Sequence, residues 1–269
     1  MIIRIDGSGW IQCATAAVLI AAPGALCAGV DASESPALRA HLTVGQRLGF
    51  VFSRTTSLTI PGEHETAGRI SGTSQYEVTN VGADEVTLKT AYRLDGDKTY
   101  TDPTRLRLDG SSYCSGDKCQ ANTDGSSILY NRAMLGEPPA RLVVGASWRA
   151  PITQPWELGP KGMQTVTVVA LSDGGRQVML RREGYGDGES IDGKGSAKLH
   201  IDGKEVRADV AHLRTSWSGY SVYRDGVLVS DELVTKSVVS VSATDIKPIQ
   251  ATARQYVLMN AAPAEIEGS

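Results

Sequence analysis

Hydrophobic and polar residues alternate along short runs of this chain, which is the pattern of strands that bury one face. The run from Val86 to Tyr92 alternates without a break and ends at Asp95-Gly96, and the run that ends at Tyr223 is followed by Asp225-Gly226. Asp-Gly between two such runs favours a hairpin, because both turn residues must accept positive φ angles. These patterns begin at Val44 and predict an all-β, mainly antiparallel fold.

Four features of the first half of the chain recur in the second half at matching spacing. Repeated units of this kind pack their hydrophobic faces against one another. We therefore expect two duplicated meanders, residues 29–125 and 142–260, that form one large barrel-like or sandwich domain. The repeated pairs are Val44-Gly45 with Val144-Gly145, Val78 and Val81 with Val168 and Leu171, Val86-Thr87-Leu88 with Val178-Met179-Leu180, and the stretch Leu106 to Tyr113 with Leu199 to Val206.

The β pattern is interrupted between the two meanders. Residues 126–141 are predicted to be a linker, with one short helical segment near 126–135 that ends before Gly136 and the Pro138-Pro139 pair. Residues 261–269 are predicted to be a disordered tail, since chain ends without apolar anchors fray.

Residues 1–28 have the pattern of a cleaved signal peptide. The stretch from Ile11 to Leu26 is uncharged and apolar, and Ala28 offers a small residue before Gly29. The stretch is near the short limit for a membrane span and no stop-transfer charges follow it, so no transmembrane segment is expected after cleavage. The predicted location is periplasmic or secreted.

The four cysteines divide into two groups. Cys13 and Cys27 would leave with the signal peptide, and Cys114 and Cys119 would remain. In an oxidising compartment these two are expected to form a disulfide that closes a hairpin tip. A metal site would need two further ligands nearby, and the thioredoxin-type redox motif has two intervening residues instead of four.

Charge and composition limit the possible partners. The formal net charge is −3 and the pI is about 5.8, which gives no footprint for nucleic acid. The longest basic cluster is Arg181-Arg182, which is interpreted as an ordinary solvated strand end.

No catalytic constellation is evident in the sequence. The nucleophile-elbow pattern is absent, and His64-Glu65 lacks the second histidine that a zinc protease motif requires. No catalytic, cofactor-binding or metal-binding residue and no cofactor is therefore predicted, and the sequence leans against an enzyme.

Aromatic residues concentrate in the second half of the chain. One interpretation is that they form the core and girdle of a β sheet. The other is that they line a ligand cleft near Trp148 and Trp217. The candidate cleft residues are Trp148, Trp156, Trp217, Tyr220 and Tyr223.

The Val-Gly pairs, the strand Tyr76-Glu77-Val78, the strand Val86-Thr87-Leu88 and the restart at Val144 with Trp148 together resemble a group of uncharacterised exported bacterial two-half β-proteins. The resemblance covers about residues 42–235 and implies no activity or functional residue.

Three functional hypotheses follow from the sequence. The first is an exported, non-catalytic protein that binds an apolar small molecule or an envelope partner between its two halves. The second is a structural or assembly protein that pairs with another chain through its edge strands. The third is a hydrolase without a recognisable motif.

Overall fold

The chain folds into one continuous antiparallel sheet. The computed structural model describes residues 3–4, 37–61, 65–191, 193, 195–201, 204–244 and 246–264. Within these residues there are fourteen strands and one α-helix. The strands are β1 (Ile3–Arg4), β2 (Arg47–Thr59), β3 (Thr66–Val81), β4 (Glu85–Leu94), β5 (Tyr100–Arg107), β6 (Ser112–Ser115), β7 (Lys118–Ala121), β8 (Ser147–Ile152), β9 (Gly162–Ser172), β10 (Gln177–Asp187), β11 (Gly195–Ile201), β12 (Lys204–Arg224), β13 (Val227–Ala243) and β14 (Ile246–Ala262), and the helix is α1 (Arg132–Leu135).

The path across the sheet runs β7-β6-β5-β4-β3-β2-β14-β13-β12-β10-β9-β8. Strand β11 pairs with the first part of β12, and β1 pairs with β11. Among the described strands the path ends at β7 and β8, so the sheet is open and single, neither closed on itself nor divided into two packed sheets. The prediction of an all-β, antiparallel fold is confirmed.

Three of the four repeated features occupy equivalent places in the sheet. The backbone N–H of Gly45 donates to the carbonyl of Val78, and that of Gly145 donates to the carbonyl of Val168, at 2.8 and 2.9 Å. Val78 lies opposite Leu88 beside a β-bulge, and Val168 lies opposite Leu180 beside another. The two halves therefore share backbone register in their first three strands.

The fourth repeated feature forms a hairpin in both halves, but the hairpin occupies a different place in the sheet in each half. Leu106 lies opposite Tyr113, and Leu199 lies opposite Val206, so both stretches turn back on themselves in the same register. Strand β5 pairs with β4, whereas β10 pairs with the second part of β12. Since β12 is 21 residues long, it reaches both β11 and β10. The predicted equivalence is correct for the hairpin and wrong for its place in the sheet.

The hydrophobic core is shared between the two halves. One cluster of buried residues combines Val78 and Leu88 of the first half with Val168 and Leu180 of the second. We call the face of the sheet that carries this cluster the inner face, and the opposite face the outer face. A smaller buried cluster lies farther along β12, β13 and β14 and includes Val210 and Val239.

The segment 126–141, which the sequence predicted to be a linker, contributes to this core. Leu129, Tyr130, Met134 and Leu135 are all buried. Fully burying one such side chain contributes on the order of 1.5–3 kcal/mol. The predicted helical segment is a single turn, α1, whose first residues are capped by the side chain of Asn131.

The chain ends differ in how much of them is described. Of the predicted signal peptide, Ile3 and Arg4 form β1, and residues 5–28 lie outside the described residues. Strand β14 extends to Ala262, so the first two residues of the predicted disordered tail belong to the sheet.

The predicted disulfide is present. Cys114 and Cys119 lie directly opposite each other in the β6–β7 hairpin and are joined by an S–S bond of 2.05 Å. The bond closes the hairpin at one end of the sheet path, as predicted.

Candidate functional site

Three of the predicted cleft residues lie in the core. Trp156, Trp217 and Tyr223 are buried, and the rings of Trp156 and Trp217 meet edge-to-face with 5.3 Å between their centroids. The indole N–H of Trp217 donates to the side chain of Gln164 at 3.0 Å. On this inner face the three rings pack the core instead of surrounding an open cleft.

The other two predicted cleft residues lie apart from this group. Trp148 is half-buried, and its indole N–H donates to the carbonyl of Leu135 at 2.7 Å, which fastens α1 to β8. Tyr220 is 40% exposed and lies on the outer face, because β12 alternates and Trp217 and Tyr223 point inward. The structure brings Trp156 and Trp217 together and leaves Tyr220 on the opposite side.

A buried ion pair on the inner face was missed in the sequence. Arg182 and Asp231 have side chains that are 4% and 1% exposed, and they meet at 2.6 and 2.8 Å. Asp231 also accepts hydrogen bonds from Ser221, at 2.6 Å, and from Ser126. Arg182 donates to the carbonyl of Gly125 at 2.7 Å. The interpretation of Arg182 as a solvated residue is wrong, because strand alternation places it on the inner face of β10.

This ion pair ties residues 124–135, which we call the central segment, to the sheet. Arg182 and Asp231 come from β10 and β13, while Ser126 and Gly125 belong to the segment that crosses the inner face. Burial raises the pKa of the Tyr223 hydroxyl, and nearby Asp231 adds to that rise. The charges of Arg182 and Asp231 compensate each other within this buried network.

A second ion pair fixes the same segment from β2. Arg54 pairs with Glu157, and Glu157 accepts a hydrogen bond from the backbone N–H of Gly125 at 3.1 Å. Asp124 is exposed; the surrounding protein raises the pKa of its carboxyl by desolvation, and nearby Arg54 opposes that rise. Gly125 is thus held from two sides, by Glu157 at its N–H and by Arg182 at its carbonyl.

An open site lies on the outer face of the second half. A groove of about 590 Å³ crosses the strands β8, β9, β10, β12, β13 and β14. Its lining residues are Arg149, Met163, Gln164, Thr165, Glu183, Gly184, Tyr185, Ser216, Trp217, Ser218, Val234, Lys236 and Arg254. This volume is within the range of about 300–1,000 Å³ that is common for small-molecule sites.

Two neighbouring rungs of paired residues build the groove. The first rung connects Arg149, Thr165, Glu183, Ser218 and Val234, each directly opposite the next. The second rung connects Met163, Tyr185, Ser216, Lys236 and Arg254 in the same way. Directly opposite residues share a face, so every member of the two rungs points outward.

The floor of the groove is low because its central side chains are short. Ser216 and Ser218 lie in the middle of the two rungs. Gly184, between them and β9, faces inward, so its lack of a side chain leaves room for the ring of Trp217 on the inner side. A Cβ atom on Gly184 would lie 2.5 Å from the ring of Trp217, which packs beneath it. Trp217 is thus the predicted cleft residue that borders the groove, from the inner side.

The groove is cationic in an acidic chain. Among the described residues, its lining has the three cationic residues Arg149, Lys236 and Arg254 and one acidic residue, Glu183, in a chain whose net charge is −3. Glu183 contacts Arg181 at 3.5 Å on the same strand. Within the described part of the chain, none of the three cationic side chains forms an ion pair, and all three residues are exposed. Clefts lined by one sign of charge attract ligands of the opposite sign.

The remaining lining residues offer hydroxyl groups and apolar surface. Tyr185 is 62% exposed, and Met163 and Val234 add apolar atoms. Thr165, Ser216 and Ser218 supply hydroxyls. As far as the structure describes it, the lining contains a single carboxylate and no histidine or cysteine, so it offers charge and hydrogen bonding more than acid–base chemistry.

The described residues contain no cluster of three or more His, Cys, Asp or Glu side chains that could hold a metal ion. No helix among them is long and apolar enough to cross a membrane.

Comparisons with known proteins give no family. No protein-family model matches the chain, and no curated protein sequence matches it. Among solved structures, the chain is similar to the outer membrane channel DcaP of Acinetobacter baumannii, with a TM-score of 0.25 and 8% identity over 81% of this chain and 96% of that chain. It is also similar to an outer membrane channel from Pseudomonas putida F1, with a TM-score of 0.20 and 8% identity over 83% of this chain and 98% of that chain. TM-scores of this size do not establish a shared fold, so neither likeness assigns a function to this chain.

Proposed function

We propose that this is an exported, non-catalytic binding protein that holds an anionic ligand in the groove on the outer face of its second half. The observation that carries the proposal is the set of three exposed cations, Arg149, Lys236 and Arg254, that line one groove without ion-pair partners among the described residues. Lys236 and Arg254 lie directly opposite each other and repel, and an anionic ligand relieves that repulsion.

Export is supported by the predicted signal peptide and by the disulfide. Cys114 and Cys119 form a disulfide in the structure, and such bonds persist in oxidising compartments such as the periplasm and the extracellular space. A periplasmic or secreted location is therefore part of the proposal.

The ligand is proposed to bind on the outer face instead of between the halves. The two halves share one buried cluster, and the segment 126–141 packs within it. Tyr185, Met163 and Val234 add apolar surface to the groove. We therefore expect a ligand that combines anionic groups with apolar or ring surfaces.

Assembly through edge strands is less well supported. The two strands at the ends of the sheet path, β7 and β8, are four and six residues long. Strand β8 carries Pro151, and the β7 hairpin is closed by the disulfide. Short edges and an edge proline are features that discourage pairing with another chain.

Removal of the groove cations tests the proposal. The probe is 8-anilinonaphthalene-1-sulfonate, which carries an anionic group on aromatic rings, and its binding is followed by fluorescence titration. The variant Lys236→Ala/Arg254→Ala, which removes the two groove cations that lie directly opposite each other, is expected to weaken binding at least about tenfold, which corresponds to about 1.4 kcal/mol.

The matched control is Arg47→Ala/Arg105→Ala, which removes the same charge from exposed positions on the first half. The affinity of this control variant for the dye is expected to equal that of the unaltered protein. Equal affinities for the two double variants, with both folded by circular dichroism, would overturn the proposal. Absence of saturable binding by the unaltered protein would overturn it as well.

A further inference from the structure

We infer that the ligand of this groove is a linear acidic oligosaccharide that lies across the strands. This inference rests on the proposed function and deepens it by naming the ligand class. It depends on the length of the groove, the distribution of its charges and the chemistry of its centre.

The groove is elongated in the direction perpendicular to the strands. Arg149 lies on β8 and Arg254 on β14, and the pairing between them passes through β9, β10, β12 and β13. Neighbouring strands are about 4.8 Å apart, so these five steps span roughly 24 Å along the sheet. A compact anion such as inorganic phosphate cannot contact both ends of a site of this length.

The cations lie at the two ends of the groove. Arg149 occupies the β8 end, while Lys236 and Arg254 occupy the β13 and β14 end. Glu183 lies between them on β10 and contacts Arg181. A ligand that satisfies both ends must carry negative charge at separated points, as a chain of acidic units does.

The centre of the groove suits a sugar better than an acyl chain. Ser216, Ser218 and Thr165 place hydroxyl groups along the middle of the two rungs, where a saturated chain would need a continuous apolar floor. Tyr185 presents an exposed ring beside them. A sugar ring offers C–H groups that pack on an aromatic face and hydroxyls that bond to serine and threonine.

The dependence of affinity on chain length tests this inference. The probes are galacturonic acid and its dimer, tetramer and hexamer, titrated by calorimetry into the full-length protein. Affinity is expected to rise with chain length, with the hexamer at least about tenfold tighter than the dimer, because only a long chain contacts both ends. A neutral glucose hexamer is expected not to bind.

Single variants locate the two ends and the centre. Arg149→Ala is expected to remove most of the gain between dimer and hexamer and to leave dimer binding at the other end unchanged. Tyr185→Ala is expected to weaken the hexamer about tenfold, and Tyr185→Phe, which keeps the ring, is expected to preserve its affinity. Loss of hexamer binding to the same degree in Tyr185→Phe would contradict the stacking role.

Two outcomes separate this inference from the proposed function. If the anionic dye binds in a manner that requires Lys236 and Arg254, but the uronic acid series shows no dependence on length, the proposed function stands and the inference fails. It also fails if vesicles of phosphatidylglycerol bind with the same dependence on these residues while the oligosaccharides do not, because the ligand is then a lipid. If no anionic probe depends on these residues, both fail together.

Discussion

Arg181 and Arg182 are neighbours in sequence and lie in opposite environments. Arg181 is exposed on the outer face, where it contacts Glu183, and Arg182 is buried against Asp231 on the inner face. The difference follows from strand alternation alone, because successive side chains of β10 point to opposite faces. The pair therefore offers a matched comparison within one strand.

We expect Arg182→Ala to lower the free energy of unfolding by about 3–5 kcal/mol, because it leaves the Asp231 carboxylate buried without its cation. Arg181→Ala removes only an exposed contact and should change the free energy by less than about 1 kcal/mol. Urea denaturation followed by tryptophan fluorescence measures both values.

A third variant separates the loss of the ion pair itself from the cost of leaving Asp231 buried without a partner. Arg182→Leu/Asp231→Leu removes both charges, so it should lose much less stability than Arg182→Ala. If Arg182→Ala is as stable as Arg181→Ala, the ion pair does not hold the central segment to the sheet.

The burial of Arg182 could be predicted from the sequence, whereas its partner could not. Val178 and Leu180 alternate inward, and continuing that alternation places Arg182 on the same face. Its partner Asp231 lies 49 residues later, and no local pattern connects the two. The groove is even harder to predict from the sequence, because Arg149 and Arg254 line one site only through the pairing of six strands.

At the scale of elements, the β6–β7 hairpin is the part that the sequence described best. The spacing of Cys114 and Cys119 predicted the disulfide, and the structure has it. The hairpin lies at one end of the sheet path, so its strands pair only with β5 and with each other, while Tyr113 packs against the shared core. Loss of the disulfide should therefore destabilise the structure only locally.

We expect Cys114→Ser/Cys119→Ser to lower the free energy of unfolding by no more than about 2 kcal/mol, because a closed loop this short removes little entropy from the unfolded chain. Hydrogen exchange measured by mass spectrometry should accelerate in residues 112–121, since the hairpin then opens locally. Residues 230–241 of β13 serve as the internal control and should keep their protection. Equal acceleration in β13 would show that the disulfide supports the whole sheet.

The order of strands in the sheet is the element-level feature that the sequence did not reveal. The stretch from Leu199 to Val206 was expected to continue the second meander as β5 continues the first. In the structure β10 bypasses β11 and pairs with β12. Both arrangements satisfy the same alternation and the same turns, and the choice depends on the length of β12, whose two parts pair with different strands.

At the scale of the whole molecule, the two halves behave as one structural unit. They share a buried cluster, and the segment 126–141 that joins them in sequence fills part of it. The repeated sequence patterns have structural counterparts in the first three strands of each half. No sequence pattern predicted that the joining segment is buried. A short, irregular stretch with two prolines has the pattern of an exposed connection, although Leu129 and Leu135 are buried in it.

A shared core predicts that a change in one half destabilises the other equally. Trp148, Trp156 and Trp217 all lie in the second half, so their fluorescence reports the unfolding of that half, and the fourth tryptophan, Trp10, belongs to the predicted signal peptide. Leu88→Ala in the first half should lower the stability by about 2–5 kcal/mol. If unfolding is cooperative, the urea midpoint seen by tryptophan fluorescence must then fall as far as the midpoint seen by far-ultraviolet circular dichroism.

The control for this experiment is Thr87→Ala, one residue away on the outer face of β4, which should leave both midpoints nearly unchanged. Two independent halves would give a different result: Leu88→Ala would split the circular dichroism transition into two steps, and the fluorescence midpoint would stay where it was. Coincident shifts of both midpoints would instead mean that the groove in the second half depends on packing in the first, because β12, β13 and β14 carry its floor and also complete the shared core.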